Sequence, residues 1–560
     1  MAVPRAIDRL QDKGWILPIL DWMSRSEDIV AAAKVPYRML EAVPELDGGD
    51  GNPSNMLIQG DNLDALKALL PFYAGRVKCI YIDPPFNTGQ AFDDYDDNLE
   101  HSLWLAMMYP RLVLLRELLA EDGTFVLHLD DNEFSYATVI CDEIFGRKNR
   151  TYMVSFKQSA PKGHKVINPG MVTTTNYIVV YAKNKSRWQP NRGFVARERD
   201  KRYSSFISNF EDPISGWKLT TVNKAFSAKH NGTLNEVKKK LGKKQFEREI
   251  DEFVLANAHR VVQPVSPDES QVGAEIVEAI RISEENPKIV HLYERDEGLP
   301  FYLKNGKRWL FYKDKLKEVD GRLAAAEALT NSWDDLLSNN IHNEGGVRFP
   351  KSKKPEKLIK RVFDLFSAPR DLVLDSFLGS GTTAAVAHKM NRAWIGIEMG
   401  KHAETHCKPR LDKVVEGEQG GISQMVDWQG GGGYRYYRLG PPAFDATGRI
   451  EPDIGFDALA AHIWFAETGQ PAARGEAATS PVLGVHDGTA YALLYNGILG
   501  DRRPEGGNVL TPPILAELKT ELPDHDGPWV IYGEACKVPS ARLKAGNVTF
   551  KQTPYDVKAR

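Results

Sequence analysis

Two short runs in this 560-residue sequence carry residue types that could do chemistry. The first is Asp83-Pro84-Pro85-Phe86, which closes the apolar run VKCIYI (77–82). Two successive prolines stiffen a turn and donate no N–H, so the Pro84 carbonyl is left as an acceptor. A carboxylate, a fixed carbonyl and an aromatic plane suit a base bearing an NH2 group: the two oxygens accept the amino hydrogens while Phe86 stacks on the ring. Drawing on those hydrogens localises an amino lone pair that is otherwise delocalised and poorly nucleophilic, so such a site would act by positioning and electrostatics. In isolation DPPF also reads as a strand-ending turn with a core phenylalanine.

The second run is DSFLGSGTTAAVA, from Asp375 to Ala387. After Phe377, Gly379 and Gly381 permit a tight strand-to-helix turn and close backbone approach by a ligand. Thr382 and Thr383 open the helix, whose free N–H groups and positive end attract polar or anionic groups. The strand AWIGIE then places Glu398 seventeen residues beyond Gly381. That offset suits an acid that holds ribose hydroxyls in a nucleotide-binding βαβ unit. The turn lacks the third glycine of a dinucleotide fingerprint, and no GK[ST] follows to make a P-loop. Tight packing alone is the plainer reading of the glycines.

The elements that must position these runs follow an α/β rhythm. NMLIQGD (55–61) reads as a strand, NLDALKALLPFYAG as its helix, and VKCIYIDPPF as a buried strand stopped by prolines. A long helix LWLAMMYPRLVLLRELLAEDG ends near Gly123, and TFVLHLDD (124–131) and NYIVVYAKN (176–184) are further strands. Strands alternating with helices predict a parallel, doubly wound sheet with ligands at the carboxyl ends of its strands. The rhythm breaks between about 185 and 345, where FYLKNGKRWLFY reads as a hairpin turning at Asn305-Gly306. It resumes at PEKLIKRVFDLF, and WQGGGGYRYYRLG (428–440) reads as a linker or flexible edge. The division expected is a helical N-terminal extension (1–50), a first core segment (51–185), an inserted α+β domain (186–345), a second core segment (346–440) and a mixed α/β C-terminal domain (441–560).

Composition is that of an ordinary globular chain, 42% hydrophobic and 26% charged. The net charge of -3 hides an uneven distribution: residues 1–150 hold 14 Lys/Arg against 25 Asp/Glu, whereas 151–250 hold 20 against 7. A basic module thus adjoins an acidic one. Cys79, Cys141, Cys407 and Cys536 lie far apart with no zinc spacing, which predicts a reducing compartment, no disulfide framework and no metal site. The N-terminus has no apolar h-region and no stretch approaches 18 apolar residues, so a cytoplasmic chain without a membrane anchor is expected.

Taken together, the two runs resemble the β-arranged DNA amino-methyltransferases, in which the catalytic motif precedes the FxGxG cofactor motif with the target-recognition region between them. Asp83-Pro84-Pro85-Phe86 matches the catalytic tetrapeptide and Phe377-Leu378-Gly379-Ser380-Gly381 the cofactor motif. Gly60-Asp61-Asn62 matches the family's turn whose acid, here Asp61, approaches the cofactor's adenine. Lys354-Pro355 with Leu358 resembles the segment covering the methionine end, and Asn176 and Tyr177 match a strand lining the base pocket. GDNLDALKALL, IDPPFNTG, MMYPRL, DDNEFS and the closing KQTPYDVKAR look like the modification subunit of type III restriction–modification systems. The resemblance is strong over about 50–190 and 345–440, weak over the insert. Phe86 departs from the Tyr or Trp of many relatives, losing a hydroxyl and keeping the stacking plane.

The resemblance implies a Rossmann-like, S-adenosylmethionine-dependent methyltransferase acting on adenine N6 in double-stranded DNA, Asp at the first motif position favouring adenine over cytosine N4. It implies a homodimer and a separate restriction or helicase subunit. An amino group inside a duplex is out of reach, so the base must be flipped out. Phosphate contacts would come from the basic stretch, with Lys157, Lys162, Lys165, Lys218, Lys224, Lys238, Lys239 and Lys240 as candidates. His101 and His128 read as structural, and Trp104, Met107, Met108 and Leu112 as core. The acidic run 93–97 reads as an exposed loop or one closing over the site. Methylation of cytosine N4 or of RNA, and a binding subunit with vestigial chemistry, are the alternatives.

Overall fold

A computed structural model describes residues 18–51, 54–87, 100–160, 170–295, 298–336, 341, 344–349, 353–444, 450–451, 454–472, 480–553 and 557. The chain divides into two units: Arg192–Leu329, and everything on either side of it.

The larger unit is built on an eleven-stranded sheet. Its elements in chain order are α1 (Arg25–Lys34), β1 (Arg38–Ala42), β2 (Met56–Gln59), α2 (Asn62–Tyr73), β3 (Val77–Ile82), α3 (His101–Leu118), β4 (Leu119–Leu129), α4 (Phe134–Cys141), β5 (Arg150–Lys157), β6 (Thr175–Ala182), β7 (Ser332–Trp333), α5 (Glu356–Phe366), β8 (Leu372–Asp375), α6 (Thr382–Lys389), β9 (Ala393–Glu398), α7 (Lys408–Val415) and β10 (Gly433–Pro442). The strands run β1-β10-β2-β9-β8-β3-β4-β6-β5-β7, with the two-residue strand Gly48–Gly49 beside β10. From β10 to β4 all neighbours are parallel. Helices on either face make these strands apolar on both sides, and Met56, Leu57, Ile58, Ile80, Tyr81 and Ile82 are wholly buried. Two halves of the chain, remote in sequence, meet where β8 pairs with β3 (Val373 opposite Cys79, Leu374 opposite Ile80). The expected doubly wound sheet is therefore present.

Several boundaries differ from the sequence reading. Strand β6 runs antiparallel to β4, and β5, unforeseen because TYMVSFK shows no clean alternation, is antiparallel to β6. The long helix stops at Leu118 because Leu119 already pairs with Val77; the residues before Thr124 form a bulge within β4. The N-terminal 50 residues are not simply helical: β1 and Gly48–Gly49 are strands paired with β10. Of the helical extension expected over 1–50, residues 1–17 lie outside the described residues, and residues 18–22 are not helical. The Gly-rich stretch is not a linker. Gly430, Gly431 and Gly432 have positive φ, and the chain then enters β10, where Tyr434 and Tyr436 are buried and a Cβ on Gly433 would stand 2.3 Å from the Gly48 carbonyl oxygen.

The insert is also shorter than the expected 186–345. Trp188 donates to Thr124 Oγ1 (2.8 Å) and stacks on Phe366, while β7 pairs with β5 and Arg361 pairs with Asp335, so both flanks belong to the core. Residues 192–329 form an α+β unit with a six-stranded and a three-stranded sheet. The hairpin turns at Asn305 (φ 49°) and Gly306 (φ 71°), the conformation a two-residue Asn-Gly loop requires. Its longest helix, Leu234–Ala256, starts at a Thr233/Glu236 capping box and bends at Gly242.

The C-terminal segment is mixed α/β as expected. A four-stranded sheet (Val482–His486, Thr489–Leu493, Trp529–Gly533, Val548–Gln552) is flanked by helices, and Leu459 and Ile463 of the helix Phe456–Thr468 join the main core. Among the described residues no helix is long and apolar enough to cross a membrane, and all four cysteines are free thiols.

Candidate active site

The carboxyl ends of β2, β9, β8, β3 and β4 open on one edge of the sheet. Both sequence-predicted runs lie there. Asp83 leaves β3 and Asp375 ends β8, on neighbouring strands; Glu398 ends β9, and Gly60-Asp61 follows β2. At about 4.8 Å between strands, β3 and β9 stand about 10 Å apart with β8 between them. The antiparallel β6 brings Asn176 and Tyr177 to the same edge by its N-terminal end.

Asp83, with 15% of its side chain exposed, accepts a hydrogen bond at Oδ2 from Lys354 Nζ. The same Nζ stands 4.6 Å from the centre of the Phe86 ring. Trp104 Nε1 donates to the Pro85 carbonyl (2.8 Å), fixing the second proline from α3. Next to Phe86, Asn87 adopts a positive φ of 60° and donates to the buried Glu133 Oε1 (2.6 Å), which His101 Nδ1 also meets at 2.7 Å. Behind Phe86, His128 is buried with both ring nitrogens engaged, by Tyr81 Oη (2.8 Å) and Asn176 Nδ2 (3.1 Å); its ring centre is 5.7 Å from that of Phe86.

The glycine turn is built as its spacing requires. Gly379 (φ 58°) and Gly381 (φ 78°) are both left-handed, and Gly381 caps α6. Glu398 Oε2 accepts from the Gly379 N–H (2.6 Å), so part of this acid's capacity holds the turn itself. Asp375 is buried and accepts from Phe377 N–H (2.9 Å); it shapes the turn from beneath. Thr382 and Thr383 are likewise buried, and Thr382 Oγ1 accepts from Arg410 Nη1 (2.7 Å). Asp61 caps α2 through Leu63 N–H (2.7 Å), keeps 45% of its side chain exposed and meets Arg111 Nη2 at 3.2 Å. Pro355 precedes α5, and Lys354 faces Asp83 and Phe86.

The electrostatics follow from burial. Burial pushes the Asp83 carboxyl above the usual range, while the charge and hydrogen bond of Lys354 draw it back. Asp375 is pushed well above that range by burial and then by the neighbouring Asp83 charge. Burial holds His128 well below an ordinary imidazole, with the Lys354 charge adding to it, so its ring is neutral at pH 7. Burial likewise raises Tyr81.

A family model for DNA methylases of the N6/N4 class matches residues 77–408, a span holding the tetrapeptide, the insert and the glycine turn. The chain belongs to this DNA methylase family. Among curated relatives of this methylase, the probable type III restriction–modification enzyme HindVI Mod subunit of Haemophilus influenzae is 35% identical over 417 residues, 70% of this chain and 55% of that protein. The EcoP15I Mod subunit of Escherichia coli is 28% identical over 428 residues, 66% and 62% of the two chains. The chain thus spans 55–62% of the length of these two relatives. A solved structure of a putative DNA modification methylase of Thermus thermophilus, complexed with S-adenosyl-L-methionine, aligns at a TM-score of 0.30 and 13% identity over 69% of this chain and 99% of that one.

The sequence reading missed what supports the methylase site. Trp104, assigned to the core, also holds Pro85, and the structural His128 spans Tyr81 and Asn176 beside Phe86. Arg111, inside MMYPRL, ties Asp61 to Asn62, whose amide donates to the Ser376 carbonyl (2.7 Å). Arg410 carried no local signal; it is wholly buried between Thr382 and Glu356. Of the basic candidates, Lys218, Lys224, Lys238, Lys239 and Lys240 are exposed and Lys157 is half-buried, whereas Lys162, Lys165 and the acidic run 93–97 lie outside the described residues.

Proposed function

We propose that this chain is an S-adenosylmethionine-dependent methyltransferase that modifies the N6 of adenine in double-stranded DNA after flipping the base out. We further propose that it serves as the modification and recognition subunit of a restriction–modification system of type III character, as a homodimer with a separate restriction or helicase subunit. The observation that carries the reading is the pairing of β8 with β3, which sets the glycine turn beside the DPPF tetrapeptide on one sheet edge. The named relatives are Mod subunits, and Asp83 at the first motif position favours adenine over cytosine N4.

The turn fits the cofactor. A Cβ on Gly379 would meet nothing nearer than 4.0 Å, so the left-handed backbone there faces open space that a side chain would fill. Phe377, Gly379 and Gly381 would form the cradle, with Asp375, Thr382 and Thr383 fixing its shape from below. Glu398 and Asp61 supply acceptors for ribose and adenine, and Pro355 brings the segment containing Lys354 alongside. When bound, S-adenosylmethionine supplies an electrophilic sulfonium methyl. Asp83 and the Pro84 carbonyl accept the two amino hydrogens of the target base, Phe86 stacks on its ring, and the amino lone pair is freed from conjugation. Asp83 is also the acceptor for the proton the nitrogen sheds. Exposed lysines of the insert (Lys218, Lys224, Lys238, Lys239, Lys240) supply phosphate contacts that offset the cost of unpairing.

The test is incubation with labelled S-adenosylmethionine and unmethylated bacterial genomic DNA, followed by nucleoside mass spectrometry, beside Asp83→Ala. N6-methyladenine formed only by the unmutated chain supports the reading. Label on cytosine N4 moves the assignment to that amine, and binding without transfer assigns a recognition subunit.

A further inference from the structure

The cation at the catalytic tetrapeptide enters the proposed function only as part of the segment alongside the cofactor, yet its amine sits where the target base would be bound. Lys354 Nζ donates to Asp83 Oδ2 and lies 4.6 Å from the Phe86 ring centre. Those are the acceptor and the aromatic face a target base would use. Resting on the proposed function, we infer that Lys354 is a positioning residue that holds the place of the target amino group and keeps Asp83 an anion until the base takes both contacts.

Three features support this assignment. Lys354 is 6% exposed in its side chain, so its pairing with Asp83 is sheltered from the solvent screening that makes surface pairs weak. Its backbone is anchored: Pro355 restricts the residue before it, and Glu356 beyond is tied to Arg410 (2.8 Å) and Lys389 (2.8 Å). The four-carbon stem can therefore retract while its root stays fixed. Finally, Asp83 has a carboxylate neighbour. The titratable groups around it are Tyr81 on its own strand, Asp375 on β8, His128 on β4 and Lys354 ahead of α5. Two buried carboxylates side by side disfavour double ionisation, and a protonated Asp83 would lose an acceptor the amino group needs. Lys354 touches Asp83, so it settles the negative charge there and leaves the proton to Asp375. His128 and Tyr81 are neutral at pH 7 and supply no such charge.

The test compares Lys354→Met and Lys354→Arg with the unmutated full-length chain. The carbonyl stretch of a protonated buried carboxyl is followed by infrared spectroscopy across pH 4–9, the Asp83 band being identified by its loss in Asp83→Asn. We expect Lys354→Met to move the Asp83 midpoint upward by at least one pH unit and Lys354→Arg to restore it, with S-adenosylmethionine affinity within twofold of the unmutated chain in both. The acid limb of the methyl-transfer pH profile should move by the same amount. A band that does not move in a folded Lys354→Met overturns the inference, and so does loss of S-adenosylmethionine binding with the band unchanged, which would assign Lys354 to the cofactor. The infrared readout needs no turnover. Failure of the unmutated chain to transfer methyl would count against the proposed function alone.

Discussion

Replacing Arg410 by methionine tests whether the glycine turn is held from beneath by one buried cation. Arg410 and Glu356 are wholly buried, 2.8 Å apart, and the other arm of the guanidinium reaches Thr382 Oγ1 at 2.7 Å. Methionine keeps much of the volume and removes these two bonds together with the longer ones to the Ser380 carbonyl and hydroxyl (3.4 Å each). Breaking a buried ion pair by deleting one partner costs roughly 3–5 kcal/mol, because the remaining charge is left uncompensated. Here Glu356 keeps Lys389 at 2.8 Å and the Ile422 N–H at 3.0 Å, so the lower end applies and we expect a loss of about 3 kcal/mol. Urea unfolding of the full chain should show it as a lower midpoint at an unchanged slope. Thr382 opens α6 directly after Gly381, so loosening it should also weaken S-adenosylmethionine binding about tenfold, equivalent to about 1.4 kcal/mol, read by calorimetry. Combining Arg410→Met with Glu356→Gln should cost less than the sum of the two by about 1 kcal/mol or more. A loss under about 1 kcal/mol, or strict additivity, would refute the reasoning.

Other consequences are open to measurement. Gly381→Ala forces a side chain into φ 78° with its Cβ 3.3 Å from Cys407 Cα; thermal unfolding should show a loss of about 1–3 kcal/mol, while Gly379→Ala, whose Cβ meets open space, should lower cofactor affinity with less effect on stability. His128 and His388 are both held below an ordinary imidazole by burial, so their contribution is present above the unfolded value near 6.5 and lost as pH falls through the folded values. Unfolding free energies from urea titrations at pH 7.5, 6.5 and 5.5 should fall with a slope of up to about 2.7 kcal/mol per pH unit, twice the one-proton value of about 1.36, and His388→Gln should reduce that slope. Trp104→Phe removes the bond to the Pro85 carbonyl and leaves a small cavity where the wholly buried indole packed; single-turnover methyl transfer should slow about five- to tenfold, matching a net hydrogen bond of about 1 kcal/mol, with cofactor binding unchanged and some loss of stability from the cavity.

The sequence disclosed those parts of the molecule whose physics is local. Apolar runs ending in prolines or glycines revealed β3 and β8, because buried parallel strands need apolar residues on both faces and a sharp exit. Asp83, Gly379, Gly381 and Glu398 were legible for the same reason: each sits where a strand ends and its residue type is demanded by the turn. What escaped depends on partners distant in the chain. β6 has the apolar character of a parallel strand yet runs antiparallel, since direction is set by what it pairs with. Tyr434 and Tyr436 looked like part of a flexible edge because the glycines before them masked a strand, and of those glycines it is Gly433 that lets the Gly48 carbonyl approach. The insert boundary moved because Trp188 and Trp333 pack on the core. Arg410 and the Lys354–Asp83 pair join residues 54 and 271 positions apart, and no local pattern encodes them.

The central claim is that Asp83 acts on the base and not on the cofactor. Asp83→Asn keeps the shape of the side chain and removes its charge, so S-adenosylmethionine affinity and single-turnover methyl transfer to DNA should be measured on the same preparation. We expect affinity within twofold of the unmutated chain and transfer of N6-methyladenine slowed at least about a hundredfold, the scale seen when a preorganised group at the reacting centre is removed. Transfer at the unmutated rate with normal cofactor binding would contradict the claim.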